Sequence, residues 1–174
     1  MSLESQQLIY ERVTRNHAKE LEPILCDPKV YEHMDDGIGP TSDELLKAFT
    51  LREQGPSAHR HNETWVDYIV RDKASQIAIG RVEATVIEHR AEVAYILGTA
   101  YWRQGYGSEA LVWLQDFVQE QYSVREFWAT VTPGNEASKH LLLKQSYVEI
   151  SNKPLPKVTS YDDGDWVFFR RAFW

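Results

Sequence analysis

Apolar and polar residues alternate through QQLIYERVT at positions 6–14, the two-residue period of a half-buried strand. The period then lengthens. Over 16–34 (NHAKELEPILCDPKVYEHM) Leu21, Ile24 and Leu25 fall on one helical face, and Asn16 stands where a cap belongs. The turn-rich DDGIGP interrupts this pattern, and TSDELLKAFTLREQG predicts a second helix. Thr41 or Ser42 caps it, Asp43 and Glu44 load its first turn with negative charge, and Gly55 stops it. GPSAHRHNE reads as loop.

The middle of the chain returns to strand character. Positions 64–71 (TWVDYIVR), 76–87 (QIAIGRVEATVI) and 91–97 (AEVAYIL) are rich in β-branched and aromatic residues. The short turns DKAS and EHR separate them, the spacing of an antiparallel meander. A glycine-containing stretch follows and leads into a helix on which Ala110, Leu111, Leu114, Phe117 and Val118 share a face. EFWATVT at 126–132 predicts another strand, PGNEASKHLLLKQS a capped helix, and YVEI and DWVFFRRAF two closing strands. Strands on both sides of helices, meander and crossover mixed, define an α+β fold with one mixed sheet. With no linker or repeat to divide it, 1–174 reads as one domain.

Composition narrows the functional classes. At 174 residues the chain can bury a core without staples. Its mean hydropathy is −0.49, and no apolar run approaches the ~20 residues of a membrane span, so no membrane association is expected. The N-terminal MSLESQQLIYERV has no basic segment followed by an apolar one, so no signal peptide is expected. Cys26 is the only cysteine, which excludes an intramolecular disulfide and a cysteine-rich zinc site. Cytoplasmic placement follows as the expectation. A net charge of −7 and a pI near 5.4 argue against nucleic acid as a partner. His59 and His61, alternate residues in a loop with no further ligands nearby, read as solvated, so no metal is expected. Trp65, Trp113, Trp128 and Trp166 are most simply core.

The chemistry concentrates in YWRQGYGSEALVWLQDFV at 101–118. A strand, a tight loop and a helix start form the geometry that binds an anion, because first-turn N–H groups lack partners and the helix dipole adds positive charge. Gly105 and Gly107 let the backbone curl and approach a phosphate, Arg103 adds a charged donor, and Ser108 offers a hydroxyl. Other phosphate loops do not fit. No Lys-Ser/Thr follows the glycines, and Ala110 stands where the third glycine or alanine of a dinucleotide fingerprint belongs, but after a meander strand. Taken alone, the stretch is compatible with a phosphate cradle or with a plain turn.

The order of elements, with YWRQGYGSEAL and then PGNEASKHLLLKQSYVEI, resembles the GNAT N-acetyltransferases over nearly the whole chain. It is most similar to the branch that includes the RimJ/RimL-like ribosomal-protein N-terminal acetyltransferases. The resemblance implies a central, mostly antiparallel mixed sheet flanked by helices, with a V-shaped opening for acetyl-CoA. It implies that main-chain groups of Ile96, Leu97 and Gly98 pair with the pantetheine arm. It makes Arg103, Gln104, Gly105, Tyr106, Gly107 and Ser108 the pyrophosphate cradle, and places Asn135 and Ser138 against the cofactor arm. Asn135 also reads as a simple helix cap.

Two departures bear on the chemistry. Trp102 stands where the family's loop often carries Gln or Arg, and Leu142 stands where many relatives carry a tyrosine that protonates the departing thiolate. Water, Tyr106, Ser138 or the solvated thiolate itself must then serve. Proton removal from the amine needs a carboxylate or water chain near the acyl group; Glu92 is the first choice and Glu83 the reserve, while Glu109 reads as structural. The reading is direct transfer from acetyl-CoA to a primary amine, with a catalytically silent acyl-CoA-binding module and a longer-chain acyltransferase as alternatives. Asp35, Asp36, Asp43, Glu44, Asp162 and Asp163, in segments that wall the acceptor side in relatives, suggest a cationic acceptor. The family also makes a homodimer possible.

Overall fold

The computed structural model describes residues 2–34, 37–150 and 160–172. Asp35 and Asp36, and most of the connection before the last strand (151–159), lie outside the described residues. Strands β1 (Leu8–Arg12), β2 (Glu63–Asp72), β3 (Ala78–Ile87), β4 (Arg90–Leu97), β5 (Glu126–Val131), β6 (Val148–Ile150) and β7 (Trp166–Arg171) form one sheet, ordered β1-β2-β3-β4-β5-β7-β6. Every neighbouring pair is antiparallel except β4 and β5, which run parallel because a helix connects them. The mixed α+β architecture is therefore the expected one.

Helices α1 (His17–Leu25), α2 (Pro28–Tyr31), α3 (Ser42–Gln54), α4 (Tyr106–Tyr122) and α5 (Glu136–Lys144) complete the fold. The single helix expected over 16–34 is broken instead at Asp27. Pro28 disfavours a helical residue before it, so Asp27 is extended (ψ 116°) and its carboxylate caps Lys29 N at 3.0 Å. Asn16 makes no side-chain cap to α1; His17 Nδ1 accepts from Thr14 N at 3.0 Å. α3 begins with the full capping box, Thr41 and Glu44 bonding each other's backbone, and ends at Gly55 with φ 82°.

Side-chain alternation assigns the two faces of the sheet. Val66, Val82, Ala84, Ala91, Val93 and Leu97 pack with Leu111, Leu114 and Val118 of α4 and Leu142 of α5. Trp113 belongs to this core, its ring stacked on Tyr10 at 3.6 Å. The opposite face buries Ile69 and Ala78 under Leu21 and Leu25 of α1 and Leu45 and Phe49 of α3, with Ile96 against them.

Candidate functional site

β4 and β5 pair only at Arg90, Ala91 and Glu92 with Glu126, Phe127 and Trp128. Beyond that point β4 runs on to Leu97 and β5 to Val131 without pairing to each other. Each stays fixed on its outer side, β4 to β3 and β5 to β7. The result is a crevice in the middle of the sheet, open at the C-terminal ends of the two strands.

The main chain inside this crevice differs from the expected set. Gly98 N donates to Ile79 O at 2.9 Å, which spends that donor and turns it to β3, and Gly98 O accepts from Tyr101 N at 2.9 Å. Ile96 O points at β3, where a Cβ on Gly80 would meet it at 2.1 Å. Alternation along the strand therefore turns Val93, Tyr95 and Leu97 toward the gap and ties Ile96 and Gly98 into the ladder. Of the three expected residues, Leu97 alone presents its backbone to the crevice. Its carbonyl accepts the Trp102 indole N–H at 2.8 Å, which fastens the loop onto the strand end.

After the short 3₁₀ turn Thr99–Tyr101 the chain reaches α4 through two left-handed residues, Arg103 (φ 60°) and Gly105 (φ 89°). Gly105 offers no side-chain cap, and the first helical bond runs from Glu109 N to Gly105 O at 3.0 Å. The helix thus supplies no partner for the N–H groups of Tyr106, Gly107 and Ser108. By contrast α2, α3 and α5 all start on side-chain caps. The open start faces the crevice: a Cβ on Gly107 would lie 2.9 Å from Leu141 Cδ1, 3.7 Å from Leu97 Cδ1 and 4.0 Å from Tyr95 Cε2.

The other expected residues are placed as follows. Gln104 turns its amide back to Ala100 O at 2.7 Å, and the Tyr106 hydroxyl donates to Asp72 at 3.3 Å. Asn135 Oδ1 accepts from Ser138 N at 3.1 Å, so this oxygen caps its own helix. Glu109 is structural, as expected, but through the N-terminal arm: its carboxylate accepts from Ser5 Oγ, Gln7 N and Gln7 Nε2 at 2.5, 2.6 and 2.9 Å. Burial would raise its pKa, and these bonds outweigh burial and hold it low. Glu92, at the last paired position, accepts at Oε1 from both Ser160 N (3.0 Å) and Ser160 Oγ. Leu142 is buried in the core.

One polar group in the crevice escapes sequence reading. Tyr95 faces α4 and α5, and its hydroxyl is buried without a hydrogen-bond partner. Burial pushes its pKa up to about 12, and nearby Ser138, outside bonding alignment, pulls only weakly the other way. A buried, unsatisfied donor costs stability and is unusual in a native structure. Strand alternation shows that Tyr95 shares a face with Leu97, but the missing partner is visible only in three dimensions. Among the described residues no cluster of His, Cys, Asp or Glu is arranged to hold a metal, and no helix is long and apolar enough to cross a membrane.

A parallel strand pair thus parts in mid-sheet, with an uncapped helix start at its mouth. The sequence profile of the acetyltransferase (GNAT) domain matches residues 7–147, and the chain belongs to that family of acyltransferases. Solved structures share the architecture at low identity. A putative ribosomal-protein-serine acetyltransferase from Vibrio cholerae superposes with a TM-score of 0.76 at 20% identity, covering 99% of this chain and 98% of that one. RimL, the ribosomal L7/L12 alpha-N-protein acetyltransferase, solved with coenzyme A, gives 0.72 at 17% identity over 96% and 95%. The microcin C7 self-immunity acetyltransferase MccE, solved with acetyl-CoA and AMP, gives 0.73 at 14% over 97% and 94%. No curated protein matches the chain by sequence.

Proposed function

We propose that this chain moves the acetyl group of acetyl-CoA directly to a primary amine. The observation that carries the reading is the uncapped start of α4 at the mouth of the parted strands. It places free backbone donors beside a crevice whose β4 edge can pair with an extended, amide-bearing arm. Tyr106, Gly107 and Ser108 would hold the pyrophosphate through backbone N–H, with Arg103 adding charge, and Val93, Tyr95 and Leu97 would line the arm. The neighbouring folds solved with coenzyme A or acetyl-CoA support the same donor.

The amine lone pair attacks the thioester carbonyl carbon, the C–S bond breaks, and sulfur leaves as thiolate. The amine's proton goes to a base and the thiolate takes one, leaving amide and free thiol. Tyr95 is the group we assign to the thiolate. Its raised pKa keeps it a neutral donor throughout the working range, and it answers the absence of a proton on Leu142. Calorimetric titration with acetyl-CoA, followed by thiol release with a panel of amines, tests the whole reading. Binding with no transfer to any amine would leave only a silent module, and absence of binding would remove the donor site. Tyr95→Phe is expected to lower kcat about tenfold with acetyl-CoA affinity retained; an unchanged kcat would strip Tyr95 of this role.

The acceptor is proposed to be a cationic amine such as a peptide N-terminus. Asp43 at the start of α3, Asp162 and Asp163 are exposed and would supply the negative charge, whereas the Glu44 carboxylate is engaged by Thr41 N and Oγ1 at 2.9 and 2.8 Å. Such steering is screened over ~10 Å at 0.1 M salt, so KM for a cationic acceptor should rise with ionic strength. A KM indifferent to salt, or preference for an acidic acceptor, would count against it.

A further inference from the structure

On the face of the sheet away from α4, Asp67 of β2 and Glu83 of β3 stand directly opposite each other. At that register cross-strand Cβ atoms are ~5 Å apart. Asp67 is 6% exposed, and both of its carboxylate oxygens, with Oε2 of Glu83, are buried and lack hydrogen-bond partners. Arg52 of α3 lies 3.6 Å from each acid, too far for a hydrogen bond, and Arg81 Nη1 lies 3.1 Å from Glu83 Oε2 out of bonding alignment. The Arg52 guanidinium also covers the Trp65 ring at 4.6 Å. Tyr31 of α2 senses Arg81 and Glu83, though its hydroxyl donates to Leu25 O at 3.0 Å. The buried residues of α1 are apolar: Ala18, Leu21 and Leu25. On β4, Ala94 is the register partner of Glu83, and Glu92 lies two residues before it on the same face.

This leaves two unsatisfied carboxylates held between arginines, Glu83 one strand in from the crevice edge and Asp67 two strands in. α4 and α5 pack on the other face and α1 and α3 on this one. Glu92 shares the face, but Ser160 N–H and Oγ–H both hold its Oε1. We propose that the amine reaches a donor in the crevice from this side and that the Asp67–Glu83 pair, with Glu83 as its accessible member, accepts the proton it loses, while Glu92 anchors the loop at Ser160. The assignment rests on the amine acetyltransferase reading above. As the C–N bond forms, the proton passes from nitrogen to a carboxylate oxygen of the pair, directly or through water, and later returns to solvent.

The titration of the pair suits that task. Burial pushes Asp67 up to about 7, against the pull of Arg52 and with the Glu83 charge adding to the rise. Burial also opposes ionisation of Glu83, but the positive charges of Arg81 and Arg52, with the neighbouring Asp67 side chain, outweigh it and hold Glu83 low. Below neutrality the pair already carries its proton on Asp67 and cannot accept another; above neutrality it can. The attacking nitrogen must already be neutral: an α-amino group, with a pKa of roughly 8, supplies neutral amine over the range in which the pair is ionised, whereas a lysine amine at roughly 10.4 supplies far less.

The test compares pH profiles of kcat/KM for the unaltered chain, Glu83→Gln, Asp67→Asn and Glu92→Gln, with acetyl-CoA affinity measured on each and the ¹³C carboxyl of Asp67 titrated by NMR. We expect an acid limb near neutral pH in the unaltered chain that coincides with the Asp67 titration. Removing the neighbouring charge in Glu83→Gln should move both to lower pH and lower the plateau roughly 30-fold, with acetyl-CoA affinity kept. Asp67→Asn should abolish the neutral limb, and Glu92→Gln should leave it in place. A limb untouched by Glu83→Gln, or one that moves with Glu92→Gln, overturns the proton role while leaving the acetyltransferase reading intact. Failure of the unaltered chain to acetylate any amine overturns that reading and the proton role with it.

Discussion

Gly80→Ala is expected to destabilise the fold by about 3 kcal/mol, at the upper end of overpacking costs. An added Cβ would meet Ile96 O at 2.1 Å, Leu97 Cδ2 at 2.7 Å and Leu97 Cα at 2.9 Å. Two of those three atoms are backbone, so no rotamer change relieves the clash and β4 itself must shift away from β3. The displaced segment is the crevice edge, and acetyl-CoA affinity should fall together with stability. Chemical denaturation decides it: a midpoint within error of the unaltered chain would mean that β4 approaches β3 less closely than described.

Gly105→Val is expected to weaken acetyl-CoA binding on the order of 100-fold, the loss of one or two hydrogen bonds to a charged group. The reason is conformational. Gly105 has φ 89°, and a Cβ there would touch nothing within 4 Å, so the substitution adds no clash. It instead penalises the left-handed backbone by roughly 1–2 kcal/mol, more for a β-branched residue, and relaxation rotates the N–H groups of the first turn. Gly107 is a less clean probe, because its Cβ would press on Leu141 at 2.9 Å and disturb packing first. Gly105→Val protein that melts normally and binds acetyl-CoA as tightly as before would remove the loop from the donor site.

Much of this architecture is legible in the chain because periodicity and punctuation agree. The meander, α3 with its Thr41 and Gly55 boundaries, and α4 with its apolar face all follow from local pattern. The break at Asp27 was written in Pro28 but masked by helical apolar spacing on both sides. The site is less legible, because backbone direction in a strand alternates with a phase that composition does not reveal. Ile96 and Gly98 belong to the ladder with β3 for that reason, although they flank Leu97. Glu92 and Glu83 stand out as acids on strands, but only the register shows one engaged by Ser160 and the other opposite Asp67. Asp67 itself, an acid amid TWVDYIVR, is a signal that local reading passes over.

The short pairing of β4 with β5 also gives the sheet a mechanical seam. On one side lie β1 to β4 and on the other β5 to β7, each a continuous antiparallel ladder. Across the seam β4 and β5 pair at the register of Arg90 to Glu92, with His89 O just before it accepting from Arg125 N and Glu126 N, and α4 is the covalent strap. A donor bound in the gap as proposed would supply rungs that the strands do not supply to each other, and would act as a removable brace between two half-sheets. Donor occupancy would then couple to rigidity: at 100 times its dissociation constant a ligand adds about 2.7 kcal/mol to the folded state, and bound as proposed it would place that gain on the line where the sheet is thinnest.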